Sequence, residues 1–385
     1  MTGQHGKAWD RHDHADILLV GGGHAHVAVL AEWTARGGPP GAARAVLLTP
    51  EPFLRYSGMV PGWIAGQHGK DDGLVDLAAL AARAGAKWVA DRCAALDPEK
   101  REVTCGDGSR IGFGIASFDT GGAPRGRALL GNDPRILDIR PIGAFTDRLA
   151  HIAASQPEML ARIAVAGGGA GGVELAFALR NIAGLAARPR VTLVAGGRGV
   201  LPGFSQGVRR RVAAALARQG IAVIEAEARL EGGCLTAGGL SLAPFSCVIA
   251  ALGSGAPRWV ADSGIATDAA GFIAVDAHQR SISHGHILAA GDVAARTDRS
   301  LAHSGVHAVK AGPVLAANLR SLVEGKPPRA RYCPRAHSLY LLNTGDGRAI
   351  AAYGTFAAEG RWVLALKHAI DKAWIAQYAR LARGD

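Results

Sequence analysis

The sequence predicts an α/β fold of two doubly wound modules, the second inserted in the first, with a small C-terminal region behind them. Three observations carry this expectation. "DILLVGGGHAHVAVL" (Asp16 to Leu30) runs an apolar strand through glycines into a helix. "ARIAVAGGGAGGVELAFALRNIAG" (Ala161 to Gly184) repeats that order further along. "GHILAAGDVA" (Gly285 to Ala294) then returns to an apolar strand ending in Gly291 and Asp292, which closes the first module after the second is complete.

Taken in order, Met1 to Ala15 are polar and expected to be disordered, with the first strand over Asp16 to Val20. "VAVLAEWTARGG" has helical periodicity and stops at Gly37 and Gly38, and "ARAVLLTP" is a buried strand stopped by Pro50. Strand, helix and strand in about 30 residues imply a right-handed parallel unit. In the second module "RVTLVAGG" and "SCVIAALGSGAP" supply further strands, and Arg209 to Arg211 open an amphipathic helix. "SLAHSGVHAVKAGPVLAANL" (Ser300 to Leu319) reads as one helix carrying both His303 and His307.

The 385 residues suffice for two or three domains at about 100 to 200 residues each. A net charge of +11 raises nucleic acid as a partner, but the basic residues are scattered and nothing argues for reading bases. Cys93, Cys105, Cys234, Cys247 and Cys333 form no CxxC pair, against a structural zinc site or a local redox disulfide. The N-terminus lacks a signal-peptide core, and no run of about 18 apolar residues predicts a membrane span. A cytoplasmic compartment is the expectation.

The glycine turns carry the chemistry. In Gly21-x-Gly23 the first glycine allows the tight turn and the second lets backbone N–H groups approach a pyrophosphate at a helix N-terminus. His26 stands where the third glycine should be. Gly167-x-Gly169-x-x-Gly172-x-Glu174 is complete, and its position between a strand and a helix makes it a specific signal for a Rossmann-like nucleotide-binding module. Neither second strand ends in an acid for a ribose: Thr49 ends one and Ala195 the other, while Arg198 is either a 2′-phosphate ligand or a surface charge. The pairs His12/His14, His24/His26, His284/His286 and His303/His307 lack a third ligand, so no metal is expected. They are packing or surface histidines, with His303 or His307 as an alternative proton donor; His303 and Glu174 are the catalytic candidates.

The two turns, "FDTGGAP" (Phe118 to Pro124), "AALGSGAP" (Ala250 to Pro257) and "HILAAGD" (His286 to Asp292) resemble the motif series of the pyridine nucleotide-disulfide oxidoreductase superfamily over roughly Ala15 to Arg320. "GGGHAHVAVL", "RYSGMVPGWIAG", "LPGFSQGVRRRV" and "LYLLNTGDGRAIAAYG" are similar to flavoproteins related to type II NADH dehydrogenases and sulfide:quinone oxidoreductases, in a group often fused to or encoded with selenide, water dikinase. The resemblance implies an FAD-binding domain over 15–125 and 265–330, an NAD(P)-binding-like domain over 126–264 and a C-terminal region over 331–385. It implies FAD on Gly21, Gly23 and the turn N–H groups of His24, Ala25 and His26, beside Thr49, with Arg55 next to the ring, Thr120 and Gly121 at the chain crossing, and Gly291 and Asp292 at the ribityl chain. Gly167, Gly169, Gly172 and Glu174 would face a nicotinamide nucleotide.

The implied function is an FAD-dependent oxidoreductase moving hydride from NAD(P)H to flavin and on to a quinone-like or other small acceptor. Two alternatives stand beside it: a sulfide- or selenide-oxidising flavoprotein that does not use nicotinamide, and a non-catalytic flavin-binding partner of selenide, water dikinase. The disulfide reductases' close cysteine pair is missing from "RYSGMVPGWIAG". In the tail, Trp362, Leu366, Ile370, Trp374 and Tyr378 are expected on one helical face flanked by Lys367, Lys372, Arg380 and Arg383. Such a helix lies in a membrane interface, as in related quinone reductases, or packs on the body or in a homodimer.

Overall fold

The computed structural model describes residues 14–231, 233–242 and 244–384. In chain order it contains β1 (His14–Val20), α1 (His24–Ala35), β2 (Ala45–Leu48), α2 (Leu77–Arg83), β3 (Ala86–Val89), β4 (Cys93–Asp97), β5 (Glu102–Cys105) and β6 (Arg110–Phe118). A second series follows: β7 (Ile136–Asp138), α3 (Ile142–Ser155), β8 (Arg162–Ala166), α4 (Ala170–Arg180), β9 (Arg190–Val194), α5 (Gln206–Arg218), β10 (Ala222–Ile224) and β11 (Cys247–Ala250). Then come β12 (Ile287–Ala289), α6 (Gly305–Val323), β13 (Tyr340–Asn343), β14 (Ala349–Tyr353), β15 (Phe356–Gly360) and α7 (Arg361–Arg383).

Among the described residues seven strands form the first sheet, in the order β3-β2-β1-β6-β5-β4 with β12 also pairing β6. The second sheet, β10-β9-β8-β11-β7, is parallel throughout. All its strands lie between β6 and β12 in sequence, so the second module is inserted in the first. β2 and β11 are buried along their whole length, as parallel strands covered on both faces must be. Ile17 of β1 lies opposite Ala45 and Ile115, and this register brings the glycine turn after β1 level with the ends of β2 and β6.

β1 begins at His14, earlier than the sequence suggested, because His14 and Ala15 pair with Gly112 and Phe113 on β6. The rest of the expected disordered terminus, including His12, lies outside the described residues. A second correction concerns α6, which starts at Gly305 and leaves His303 outside the helix. The His303 ring Nδ1 bonds the Asp292 carbonyl at 3.0 Å, and Ser304 is extended at φ −149° and ψ 146°, so the chain cannot wind until residue 305.

The C-terminal region is the antiparallel sheet β13-β14-β15, whose Leu342, Ile350 and Ala352 join the core of the second module, and α7, which crosses back to the first. The expected single apolar face of α7 is split. Trp374 and Tyr378 pack on the first module's core, whereas Trp362, Leu366 and Ile370 are 57, 40 and 44% exposed. Steps of four residues overshoot a full turn by about 40°, so five such positions cannot share one stripe. Lys367, expected as a flanking charge, is only 7% exposed and pairs with Asp371, itself 4% exposed, at 3.2 Å. No helix among the described residues is long and apolar enough to cross a membrane.

Candidate functional site

The first turn is strained in the manner its glycine allows: Gly21 has φ +95°, with the Asp119–Thr120 backbone against the place of its missing side chain. His26 is accommodated between α1 and the sheet. Its ring turns down into the gap, with Nδ1 2.6 Å from the Gly21 carbonyl and Nε2 2.9 Å from Ser117 Oγ. A carbonyl only accepts, so Nδ1 carries the proton and Nε2 accepts from the serine. Burial holds this imidazole neutral, down to about 4, against the Gly21 bond that favours its charged form.

The N–H groups that the turn would offer an anion already have a partner. Asp119, 3% exposed, places Oδ2 at 2.7 Å from the Ala25 N–H and 3.1 Å from that of His26. Its carbonyl accepts from the Gly23 N–H at 3.1 Å, and a side chain on Gly23 would collide with its carboxylate. Burial raises the Asp119 carboxyl to about 7; the N–H bonds pull it down and the Asp292 charge pushes it further up. Thr49 is buried at the end of β2, its Oγ1 facing Gly22. Thr120 and Gly121 follow directly, Gly121 at φ +71°.

The second turn is built alike but stands open. Gly167 has φ +134° against the Ala251 carbonyl, and Gly172 lies on the Gly167 carbonyl where no Cβ would fit. Space in front of Gly169 is empty, and the α4 N-terminus has no side-chain cap. Ala195 ends in a turn whose carboxylates come from beyond the next strand. Glu227 Oε1 accepts from the Gly197 N–H at 3.0 Å, and Glu225 Oε1 lies 3.4 Å from the Val200 nitrogen. Arg198 is exposed beside them.

Both modules and the tail meet at a polar junction. Asp292 Oδ2 accepts from Arg140 at 2.8 Å and from Ser254 Oγ at 2.9 Å, both donors following strands of the second sheet. Glu174 accepts from the Asn343 N–H at 2.8 Å, and burial pushes its carboxyl up, against Lys367 and that bond. Trp374 stacks on Tyr56 at 4.7 Å and lies 5.3 Å from the His24 ring. Burial holds His24 at about 4, with the Asp292 charge opposing, and lifts the Tyr56 phenol, with the Asp371 charge adding. Among the described residues His24 Nε2, Arg140 Nε and Trp374 Nε1 at this junction are buried without a partner, as are Arg55 Nε and Ser304 Oγ further off, and buried polar atoms of this kind call for a polar guest. Arg55 otherwise bonds the Lys70 carbonyl and pairs with Asp71 at 3.6 Å. Beside Gly291 and Asp292 a cavity of about 510 Å³ is lined by Phe272, Arg296, His303, Ser304, His307 and Tyr332; no residue of the first turn reaches it.

A family model described as pyridine nucleotide-disulphide oxidoreductase matches residues 15–312. The chain belongs to that family. Its members are flavoprotein oxidoreductases that generally bind FAD and use nicotinamide nucleotides. Among solved structures, the oxidoreductase is similar to the sulfide:quinone oxidoreductase from the hyperthermophilic bacterium Aquifex aeolicus, at 16% identity and TM-score 0.74, covering 96% of this chain and 92% of that one. It is also similar to the covalent putidaredoxin reductase–putidaredoxin complex, at 18% identity and TM-score 0.69, covering 90% and 82%. No curated protein sequence matches it.

Sequence reasoning missed several groups in this oxidoreductase: Asp119, Arg140, Glu225, Glu227, and the approach of Trp374 to Tyr56. Asp119 was visible inside "FDTGGAP", one residue before Thr120, as a charged side chain directly after a buried strand. The other histidine pairs have ordinary partners: His284 meets Glu99 at 3.1 Å, His286 the Pro98 carbonyl at 3.1 Å and His307 the Tyr332 hydroxyl at 2.8 Å. Asp91, Cys105 and Asp107 bring ligand atoms within 4.8 Å, but these carboxylates hold the Arg92, Asp107 and Ser109 N–H groups.

Proposed function

We propose that the chain is an FAD-dependent oxidoreductase that takes hydride from NAD(P)H and passes electrons to a quinone-like or other small acceptor. The observation that carries this reading is the junction itself. Unpartnered polar atoms of His24, Arg140 and Trp374 lie around Tyr56 and Asp292, on the side where the first turn meets the second module, as a polar cofactor requires. Bound FAD would supply the two-electron chemistry; the protein supplies position, charge and exclusion of water.

On this reading His24 and the α1 turn hold the nucleotide half, Arg55 and Tyr56 flank the ring, and Asp292 holds the ribityl chain. The open α4 N-terminus at Gly169 accepts the nicotinamide nucleotide's diphosphate. Glu225 and Glu227 supply the acid that Ala195 lacks, which favours a free ribose and hence NADH. Glu174, whose carboxyl is pushed up by burial, stands at the junction with the Lys367–Asp371 pair beside it. The motif resemblance supports a link to selenium metabolism, with selenide as an alternative donor and selenide, water dikinase as partner.

The test is the anaerobic visible spectrum of the purified protein, before and after NADH and then NADPH. A flavin spectrum bleached by either nucleotide is the expected result. A flavin reduced by sulfide or selenide alone, or by no donor, would transfer the reading to a nicotinamide-independent enzyme or a binding partner. Protein that holds no flavin after reconstitution would end it.

A further inference from the structure

The contrast between the two turns has a specific origin. At the second turn the space before Gly169 is empty and the N-terminus of α4 is uncapped. At the first, the equivalent space before Gly23 is filled by the Asp119 carboxylate, which takes the Ala25 and His26 N–H groups while its carbonyl takes that of Gly23. These donors are the ones a dinucleotide's diphosphate uses at a strand-turn-helix site. A carboxylate and a diphosphate cannot share them.

We infer that Asp119 is a latch on the flavin site: its carboxylate stands in for the diphosphate on the α1 N-terminus, and FAD seats only as Asp119 gives up those N–H groups. This rests on reading the first turn as the FAD site. The latch is held on several sides. Its Oδ1 lies against Gly291, and its outer neighbours are Asp292 with its partner Arg140, and His303 on the Asp292 carbonyl. The titratable groups of α1 flanking the Ala25 N–H it holds are His24 and His26, both held near 4 and so uncharged above about pH 5.5.

The inference has a proton-linked consequence. Asp119 is already raised to about 7 by burial and by Asp292. A bound diphosphate adds negative charge next to it, so a displaced Asp119 that stays in the pocket must be neutral. FAD then binds with uptake of a proton wherever Asp119 is ionised in the free protein. Affinity is flat below about pH 7, and above it the Kd rises about tenfold per pH unit.

The test uses the full chain stripped of flavin and refilled with FAD, with flavin fluorescence read between about pH 5.5 and 8.5. Wild type is expected to follow that profile. Asp119→Asn, which keeps the shape but carries no charge, should give a flat profile and bind at least about tenfold tighter near pH 8.5. Should the variant fold poorly, proton uptake by wild type in weak buffer near pH 8 is an independent readout, expected at about one proton per FAD. Tight FAD binding by wild type with no slope and no proton uptake, or the same slope in both proteins, would overturn the latch and leave the flavin site standing. Folded wild type that binds no FAD at any pH would overturn the flavin site and the latch with it.

Discussion

His26 shows how one residue can break a fingerprint and keep its fold. A glycine at that place lets helix and strand touch; the imidazole instead fills the gap and bridges them through Gly21 and Ser117. His26→Gly, which restores the expected pattern, should therefore destabilise by about 2–4 kcal/mol in urea unfolding, since it opens a cavity and leaves two buried groups unpaired. Equal or greater stability would show that the bridge contributes nothing. The pH dependence follows from the same side chains. His24 and His26, lowered to about 4, bind fewer protons folded than unfolded, so each adds stability as pH rises from about 4 to 6.5. Asp119, raised to about 7, acts in the opposite direction, and stability falls as it ionises between about 4 and 7. Flavin-free protein should thus melt at rising temperature from pH 4 to about 6.5, a rise to which the lowered His68, His286, His307 and His368 add, and Asp119→Asn should steepen it. A melting temperature that climbs on acidification would contradict both histidine assignments.

At the level of elements, the strand-turn-helix units were legible because their signals are local. Apolar runs, glycines and helical spacing sit within about 15 residues of one another, and both units formed where the sequence put them. The carboxylates beside Ala195 were not legible, because Ala195 ends its strand without an acid and Glu225 and Glu227 follow the neighbouring strand β10. Only the β9–β10 pairing brings them together. Cys93 and Cys105 are a similar case: too far apart for a sequence motif, they lie opposite in the β4–β5 ladder, both buried, with burial pushing Cys93 to about 12. His303 was misjudged for a different reason, since periodicity cannot register a ring that bonds a carbonyl upstream of the helix. If Glu225 serves a nucleotide ribose, Glu225→Gln should raise the KM for NADH about tenfold with kcat unchanged, one lost charged hydrogen bond. Steady-state kinetics that leave KM untouched would remove it from the site.

For the whole molecule, α7 decides what faces outward. Its first half leaves Trp362, Leu366 and Ile370 exposed next to β14 and β15, whose Tyr353 and Phe356 are 47 and 56% exposed. We propose that this apolar face, with the chain's excess positive charge, makes peripheral contact with an anionic lipid surface. Vesicles rich in acidic lipid should carry the wild type upward in flotation. Trp362→Ser with Ile370→Ser should lose that without lowering the melting temperature, because neither side chain is in the core. Wild type that stays behind with the unbound fraction would exclude the contact.

The second half of α7 has a consequence for synthesis. The sheet of β7 to β11 is complete once residue 250 has emerged, and it can close while the ribosome is still at work. The first module must wait for β12 and α6, and then for Trp374 and Tyr378 to cover its core. The part of the chain made first is therefore the last to be finished, and a growing chain holds the core around its first glycine turn open, in need of shelter, until α7 has been made.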